Sequence, residues 1–320
     1  MPNIKIISGS THPDYALKIC EELKIPICKT IIKKFHDSEV YVKINEKVRG
    51  DDVFIIQPTI RPVNENIMEL LIIIDALKRS NVRRINVVMP YYGYARQDRR
   101  ASAREPITAK LVANLLTTAG ADRIITVDLH SPQIVGFFDI NVDHFEAYPL
   151  FAEYFQKKNL KNIIAVSPDS GFTKKTRKFA KLLDCPLAII DKRRPRHNKA
   201  EVVNVIGDVK GKTCLLIDDM IDTGGTIASA ADALIKNGAK EVYIAATHGV
   251  LSGEAVEKLE KCSAKEIVLT DTHPIPKEKR IKKMTILSTG ELMAQVIERI
   301  HSHKSLGELF SWEEKVNVSN

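Results

Sequence analysis

The residues best suited to chemistry lie around Asp218, where the apolar run Cys214–Ile217 leads into two carboxylates. A Thr-Gly-Gly-Thr turn, Thr223–Thr226, follows shortly after, and a helical pattern begins behind it. The glycines let the backbone point its N–H groups at one spot, and a helix N-terminus adds partial positive charge there. Because open α/β sheets bind ligands beyond the carboxyl ends of their strands, the segment predicts a phosphate cradle with carboxylates nearby for sugar hydroxyls.

The same segment also fits a simpler interpretation, a strand–turn–helix junction whose Asp or Thr only caps the helix. A lone Gly-Gly turn would favour that interpretation. Two carboxylates, two threonines and two glycines converge here, which favours a bound sugar phosphate. The segment is not a Walker loop, because the pattern GxxxxGK followed by Ser or Thr is absent.

Further polar residues follow other apolar runs. His130, Asp169 and the basic run Lys192–Arg196 each come shortly after such a run, which places them at the carboxyl ends of predicted strands. Taken alone, a histidine in this place is more typical of a hydrogen-bonded structural residue, and a bare basic run is more typical of a solvated loop. The residues by themselves therefore leave both interpretations open.

Short apolar runs alternate with amphipathic stretches along the whole chain, which predicts strands alternating with helices. The runs are apolar on both faces, as in parallel strands that helices cover from two sides. Predicted strands are Lys5–Ser8, Val53–Gln57, Ile85–Met89, Ile124–Val127, Ile163–Val166, Leu187–Ile190, Cys214–Ile217, Val242–Ala246 and Ile267–Leu269. The alternation predicts the α/β class with doubly wound parallel sheets.

The helices are predicted from the spacing of their apolar residues and from their end signals. We expect Leu17 and Leu23 of the first to face the core, a proline near the start of the third, and Gly238 to end the fourth. The predicted helices are Asp14–Leu23, Asn64–Lys78, Pro106–Thr118 and Thr223–Asn237.

The length of 320 residues predicts about two domains, at roughly 150 residues per domain. The strand pattern divides near Tyr148–Pro149, so we expect domains at 1–147 and 148–320. Two halves of the same class indicate an internal duplication. The tail after about Glu291 is expected to form one amphipathic helix with a short polar end.

The composition excludes several classes of protein. With 44% apolar and 28% charged residues, the chain is typical of a folded globular protein and not of a disordered one. No apolar run is long enough for a membrane span, and the start of the chain lacks signal-peptide features, so we expect a cytoplasmic protein without a membrane partner. Five cysteines without CxxC spacing indicate reduced structural thiols and not a disulfide framework or zinc site.

The net charge is positive, because 48 Lys and Arg against 40 Asp and Glu give +8. This charge suits an anionic partner, which could be a nucleic acid or a small phosphate. Only the basic cluster Arg96–Arg104 has aromatic residues nearby, so a nucleic-acid surface is not expected.

The turn Thr223–Thr226, with the carboxylates before it, resembles the ribose-phosphate-binding fingerprint of phosphoribosyltransferases. Further segments narrow the resemblance to the ribose-phosphate pyrophosphokinase family, and these are Phe35–Glu39, Val48–Gly50, Pro90–Arg100, Val127–His130, Ser167–Asp169 and Asp191–Arg196. The resemblance runs from about residue 4 to about residue 312 with nearly unbroken spacing. It implies two domains of the phosphoribosyltransferase type, the second of which carries the ribose 5-phosphate loop.

The resemblance implies an enzyme, a ribose-phosphate diphosphokinase. It would transfer the β,γ-pyrophosphoryl group of ATP to the 1-hydroxyl of ribose 5-phosphate, giving phosphoribosyl pyrophosphate (PRPP) and AMP for nucleotide biosynthesis. Such a transfer depends mainly on positioning and charge stabilisation. Lys192 and Arg194 would stabilise the transferring group from a mobile flap. The implied ribose 5-phosphate site is Arg194, Asp218, Asp219, Asp222, Thr223, Gly224, Gly225 and Thr226.

The resemblance also implies where ATP and its metal bind. His130 and Asp169 would hold Mg²⁺, which needs few protein ligands because it keeps most of its water. The segment Phe35–Glu39 would come from a neighbouring subunit, which implies a homo-oligomer and, by the family, a hexamer. Taken alone, that segment also fits a polar hairpin with one packed phenylalanine. The implied ATP contacts are Phe35, Asp37, Ser38, Glu39, Arg96 and Gln97.

The sequence departs from the family in two places that bear on function. The segment Arg99–Pro106 is one residue shorter than in many relatives, which leaves the response to phosphate and ADP open. Phe172 stands where relatives often have a glycine, which could alter how closely the backbone approaches metal or sugar.

Three other functions compete with the synthetase. A phosphoribosyltransferase would use the same cradle, but the paired domains and Lys192 with Arg194 disfavour it. A catalytically silent regulatory subunit should have lost site residues, yet His130, Asp169 and both basic residues are present. An RNA-binding regulator is compatible with the positive charge, but no RNA motif supports it.

Overall fold

The computed structural model describes residues 2–193 and 202–310, without the side chains of residues 192, 193, 202, 203 and 310. The first elements are β1 (Ile4–Ser8), α1 (Pro13–Leu23), β2 (Thr30–Lys34), β3 (Val40–Ile44), β4 (Asp52–Ile56), α2 (Val63–Arg79), β5 (Arg84–Val88), α3 (Thr108–Ala119), β6 (Arg123–Val127), a 3₁₀ helix (Pro132–Phe137) and β7 (Asn141–Phe145).

The elements that follow are α4 (Tyr148–Lys157), β8 (Ile163–Ser167), α5 (Thr173–Leu182), β9 (Leu187–Arg193), β10 (Val202–Ile206), β11 (Thr213–Ile221), α6 (Gly225–Lys236), β12 (Glu241–Gly249), α7 (Ala255–Lys261), β13 (Glu266–Thr270), a 3₁₀ helix (Lys277–Lys279), β14 (Met284–Leu287), α8 (Gly290–His301) and α9 (Gly307–Phe310).

The chain divides into two compact units, each with its own sheet. Unit 1 contains the residues up to Glu146, together with Thr272–Pro274 and Ser288–Phe310. Unit 2 contains Ala147–Asp271 and Ile275–Leu287. The predicted second domain is the whole of 148–320. The structure places α8 and α9 in unit 1, where the Tyr15 hydroxyl lies 2.7 Å from Thr289 Oγ1 at the start of α8.

Unit 1 is built on a five-stranded parallel sheet in the order β1-β4-β5-β6-β7. Every residue of β4 is buried, as expected for a strand that is covered on both faces. Helix α1 buries Tyr15, Ala16, Ile19 and Cys20. The prediction that Leu17 faces the core is wrong, because Leu17 lies off this stripe and is 45% exposed.

Unit 2 is built on a seven-stranded sheet in the order β10-β9-β8-β11-β12-β13-β14. All neighbouring pairs are parallel except β9 with β10, which are antiparallel. From β8 the chain first moves outward to β9 and β10, and then returns to the other side of β8 as β11. The strand order therefore reverses between β8 and β11, which is where α/β sheets open a crevice for ligands.

Several strands were not predicted, and they share one property. β7, β10 and β14 lie at sheet edges, while β2 and β3 form a separate antiparallel hairpin. Most described side chains of these strands are only partly buried, so the continuous apolar run that marks a central parallel strand is missing. The third predicted helix also begins later than expected, at Thr108 and not at Pro106.

The end of helix α6 and the state of the cysteines agree with the sequence analysis. Gly238 has φ of +87° directly after the C-cap residue Asn237, which is the backbone conformation that favours glycine there. All five cysteines are free thiols. Among the residues that the structure describes, no helix combines the length and hydropathy needed to cross a bilayer.

Candidate active site

The site in unit 2 lies where β8 and β11 run side by side. These strands are in parallel register from Ile163 opposite Thr213 to Val166 opposite Leu216. Their carboxyl ends therefore meet, which brings the loop with Asp169 to the segment that begins at Asp218. The charge of Asp169 acts on Asp218, which agrees with this proximity.

At Gly224, in the turn after β11, the backbone has a conformation that favours glycine. This residue has φ of +72°, and a Cβ placed on it would lie 3.2 Å from the Cα and carbonyl oxygen of Ala255. Gly224 is also the N-cap residue of α6, and no side chain there bonds to the first N–H groups of the helix. The N-terminus of α6 is thus open to a bound anion, as the Thr-Gly-Gly-Thr pattern predicts.

Gly225 differs from Gly224, because a Cβ placed on it would meet none of the described residues within 4 Å, apart from its chain neighbours and the backbone of its own helix. Its backbone is also ordinary, since it is the first residue of α6 and has no positive φ. The fold therefore does not need a glycine at this position. The open space beside the N–H groups of the helix is where a phosphate would sit.

The variant Gly225→Ala is expected to fold normally and to raise the KM for ribose 5-phosphate by about 10- to 100-fold. The methyl group would enter the phosphate space and displace one or more charge-assisted hydrogen bonds, each worth roughly 1.5–3 kcal/mol. Steady-state kinetics with varied sugar phosphate measure the effect. Gly224→Ala is the contrasting variant, because its strained φ and close contact should instead lower thermal stability. Unchanged kinetics in Gly225→Ala would place the phosphate elsewhere.

The carboxylates beside this turn belong to the last part of β11. The predicted strand ended at Ile217, whereas the observed strand continues through Asp218 and Asp219 to Ile221. The backbone N–H of Asp219 donates to Oδ1 of Asp218 over 2.9 Å. Burial, followed by the negative charge of Asp219, raises the pKa of Asp218 well above its ordinary value. This crowding of carboxylates suits a ligand that donates hydroxyl hydrogens.

The other residues of the turn lie at its surface. Thr223 and Thr226 are exposed and Asp222 is half-buried, so their side chains are accessible from solvent. The carbonyl of Asp222 accepts a hydrogen bond from the N–H of Ser252 over 2.9 Å, which ties the turn to the loop after β12.

Asp169 occupies an exposed position after β8. Its Oδ1 accepts a hydrogen bond from the N–H of Phe172 over 2.9 Å, and its carbonyl accepts one from the Ser167 hydroxyl over 2.7 Å. Phe172 has φ of −85° and ψ of −6°, which any residue can adopt, so the backbone here does not require the glycine that relatives often carry. Phe172 thus fits this backbone without strain, and its N–H holds the side chain of Asp169.

Unit 1 carries Arg96 and Gln97 on the turn between β5 and α3. Both side chains are exposed. They border a cavity of about 380 Å³ whose other lining residues are Pro62, Val63, Asn64, Glu65, Tyr91, Tyr94 and Ala95. The Tyr94 hydroxyl makes a short hydrogen bond to Oδ1 of Asn64, and Tyr94 has φ of +65°, so this turn is held in an unusual conformation.

His130 lies just beyond β6, also in unit 1, and is exposed. The turn before it includes Asp128 with φ of +42°. The N–H of Leu129 donates to Nε2 of His144 over 2.9 Å, which fixes the turn. His144 was not predicted from the sequence, because its role follows from the pairing of β7 with β6 and not from any local motif.

The segment Phe35–Glu39 forms the tip of the hairpin between β2 and β3. The N–H of Phe35 donates to the carbonyl of Glu39 over 2.8 Å, and Oδ1 of Asp37 accepts from the N–H of Glu39 over 3.1 Å. Ser38 has φ of +75°. The polar hairpin, which was the alternative interpretation of Phe35–Glu39 from the sequence, is therefore present. Phe35 touches Tyr41 at a ring distance of 5.7 Å but is 49% exposed, so much of its ring remains accessible.

Lys192 lies in β9, with its backbone opposite Val203 of β10. The predicted strand ended at Ile190, and the observed one continues to Arg193. Arg194 lies outside the described residues, as does most of the flap expected around it. Within 2–193 and 202–310, no group of three or more His, Cys, Asp or Glu side chains could hold a metal ion.

The two sheets and the glycine turn at the N-terminus of α6 define a class of protein, the α/β proteins of the phosphoribosyltransferase type. Residues 4–120 match the N-terminal domain of ribose phosphate pyrophosphokinase, and residues 192–311 match the phosphoribosyl synthetase-associated domain. The chain belongs to the ribose-phosphate pyrophosphokinase family. The predicted resemblance, fold class and enzyme class are thereby confirmed.

Individual relatives match over nearly the whole chain. The ribose-phosphate pyrophosphokinase of Bacillus subtilis (strain 168) is 54% identical over 309 residues, covering 97% of this chain and 98% of the relative. The enzyme of the same name from Fusobacterium nucleatum is 54% identical over 311 residues, with coverage of 97% and 98%. The crystal structure of phosphoribosylpyrophosphate synthetase from Mycobacterium smegmatis matches with a TM-score of 0.90 and 46% identity, covering 94% of this chain and 99% of that chain.

Proposed function

We propose that this chain transfers the β,γ-pyrophosphoryl group of ATP to the 1-hydroxyl of ribose 5-phosphate, producing PRPP and AMP. The observation that carries the proposal is the open N-terminus of α6 at Gly225, beside the carboxylates of Asp218 and Asp219. A site with phosphate donors at one end and hydroxyl acceptors next to it suits a pentose phosphate.

In this proposal the 5-phosphate binds the backbone of the turn after β11, and the carboxylates accept hydrogen bonds from the ribose hydroxyls. Lys192 and Arg194 stabilise the negative charge that develops on the pyrophosphoryl group during its transfer. The bond between this group and AMP breaks while its bond to the 1-oxygen of the ribose forms. The proposed sugar-phosphate residues are Arg194, Asp218, Asp219, Asp222, Thr223, Gly224, Gly225 and Thr226.

ATP is proposed to bind residues of unit 1. Arginine forms paired hydrogen bonds with phosphate oxygens, which is the role of Arg96. The exposed ring of Phe35 suits stacking on a nucleobase, and the nearby carboxylates suit its amino group. The proposed ATP residues are Phe35, Asp37, Ser38, Glu39, Arg96 and Gln97.

The donor set also fits a magnesium ion. Asp169 is an exposed carboxylate of which only Oδ1 has a hydrogen-bond partner among the described residues, so its second oxygen suits an oxygen-preferring cation. His130 of unit 1 is exposed as well and suits contact with a magnesium ion or its water shell. When bound, magnesium neutralises charge on the ATP phosphates.

We propose a homo-oligomer, a hexamer as the family resemblance implies, acting in the cytoplasm. Ile107, Leu111 and Leu115 repeat every four residues on one face of α3 and are exposed in the single chain, which supports contact with another copy. The five free thiols support a reducing compartment. A duplication with its boundary near residue 147 remains a proposal, while α8 and α9 lie in unit 1.

The proposal is tested by incubating the protein with ribose 5-phosphate and magnesium-ATP and following AMP. We expect AMP to form only when the sugar phosphate is present, together with one equivalent of PRPP. A phosphoribosyltransferase would instead consume PRPP when given a nucleobase, and a silent subunit would do neither. Salt-sensitive RNA binding without turnover would identify a regulator and overturn the proposal. Repeating the assay with phosphate and with ADP measures regulation.

A further inference from the structure

Gln97 is held at the start of helix α3 by two residues of that helix. The hydroxyl of Thr108 lies 2.5 Å from Oε1 of Gln97, and the N–H of Ala109 donates to the Gln97 carbonyl over 3.1 Å. The N–H of Gln97 itself donates to the carbonyl of Tyr94 over 2.9 Å. The backbone and the side chain of Gln97 are therefore both fixed.

The reason lies in how α3 begins. The N-cap residue is Ile107, and no capping side chain among the described residues bonds to the first N–H groups of the helix. The Ile107 carbonyl accepts the N–H groups of Lys110 and Leu111, and the Gln97 carbonyl accepts the N–H of Ala109. Thr108 does not cap its own helix, so its hydroxyl is available for the Gln97 side chain. The position of Gln97 thus depends on a helix and not only on a loop.

The turn before Gln97 is restrained as well. The N–H of Gly93 donates to Oγ1 of Thr59 over 2.6 Å, and a Cβ on Gly93 would lie only 2.6 Å from the Thr59 carbonyl oxygen. The Tyr92 hydroxyl donates to the carbonyl of Ala109 over 2.7 Å. With this much of the backbone fixed, the main freedom left at Gln97 is the orientation of its carboxamide.

Thr108 fixes which end of the Gln97 carboxamide faces the start of α3. A carbonyl oxygen only accepts hydrogen bonds, so the Thr108 hydroxyl donates to Oε1 of Gln97. The NH₂ group of Gln97 is then the end that remains for a ligand. Gln97 is exposed and lines the cavity of unit 1, and among the described residues its NH₂ group has no hydrogen-bond partner, so it is available to donate to a ligand.

We infer that Thr108 is a positioning residue that holds the Gln97 carboxamide as a donor toward acceptor atoms of ATP. The inference rests on the proposed function, because that function assigns Gln97 to the nucleotide. Thr108 does not touch ATP; it acts through Gln97. A carboxamide free to rotate would offer its oxygen to phosphate or ribose oxygens about as often as its nitrogen, and two acceptors repel each other.

The test is Thr108→Val, which keeps the shape of the side chain and removes the hydroxyl. We expect the KM for ATP to rise about fivefold, the usual effect of one neutral hydrogen bond, while kcat and the KM for ribose 5-phosphate stay within twofold. Thr108→Ser restores the hydroxyl and is expected to bring the KM for ATP back near the original value. Isothermal titration calorimetry of ATP binding is made on the same variants.

The matched control is Thr117→Val on the same helix, where the hydroxyl donates to the carbonyl of Ala113 over 2.9 Å. It should leave the KM for ATP unchanged. An unchanged KM in Thr108→Val, an equal rise in the control, or a parallel rise for both substrates would overturn the inference. If the original protein forms no AMP, the proposed function fails, and calorimetry still decides the inference. Weaker ATP binding in Thr108→Val supports it, and equal or absent ATP binding overturns it.

Discussion

The variant Lys192→Ala is expected to lower kcat by about 10²- to 10³-fold, which corresponds to losing roughly 2.7–4 kcal/mol of transition-state stabilisation. In the proposed role, the ammonium group of Lys192 acts on charge that develops only during the reaction. The KM for ribose 5-phosphate should therefore change by less than about threefold, because ground-state binding depends on the turn after β11. Initial-rate kinetics with each substrate varied in turn measure both quantities.

Lys43→Ala is the control for this experiment, since Lys43 is an exposed lysine on strand β3 and lies outside the proposed site. It should leave kcat and both KM values unchanged. If Lys192→Ala instead lowered the affinity for the sugar phosphate as much as it lowered kcat, Lys192 would already bind the substrate in the ground state. Its proposed role at the transition state would then be wrong.

The second large effect is expected on the stability of unit 1, from a substitution of Asp52, the first residue of β4. Its side chain is fully buried and accepts hydrogen bonds from Nε and Nη2 of Arg84, at 2.8 and 2.5 Å, and from Nδ1 of His301, at 2.8 Å. His301 ends helix α8, so Asp52 ties the last part of the described chain to the start of a central strand. Arg83 adds positive charge at 3.6 Å.

Asp52→Ala is expected to lower the free energy of unfolding of unit 1 by about 3 kcal/mol, because it leaves the guanidinium groups of Arg84 and Arg83 without their buried carboxylate. Chemical denaturation followed by circular dichroism measures the change. Asp75→Ala is the control. Asp75 pairs with Arg79 on the surface of α2, where solvent screens the ion pair, so its transition should match that of the original protein.

The contribution of Asp52 should also depend on pH in a defined direction. Burial by itself raises the pKa of Asp52, but the hydrogen bonds from Arg84 and His301 and the charges of Arg84 and Arg83 outweigh it and lower the pKa below 3.8. A lowered carboxyl pKa stabilises the fold above the unfolded-state value and loses that stabilisation as pH falls through the folded-state value. The difference between the original protein and Asp52→Ala should therefore persist down to about pH 4 and shrink below it. A difference that grew on acidification would contradict this assignment.

The sequence by itself determined the central strands, most of the long helices and the glycine turn before α6. The reason is that each depends on a local signal. A buried parallel strand needs a continuous apolar run, as in β4, and the turn at Gly224 needs a residue that tolerates positive φ without a side chain. The order of these segments was also enough to indicate the family, because the motifs keep their spacing along nearly the whole chain.

Only the tertiary structure decided features that depend on which segments become neighbours. The sheet order sets β8 beside β11 and so brings Asp169 to Asp218, although nothing in either segment specifies that pairing. The contact between Asp52 and His301 joins positions 249 residues apart. Strand pairing and long-range contacts follow from packing the whole chain at once, because each becomes favourable only when many distant apolar surfaces are buried together.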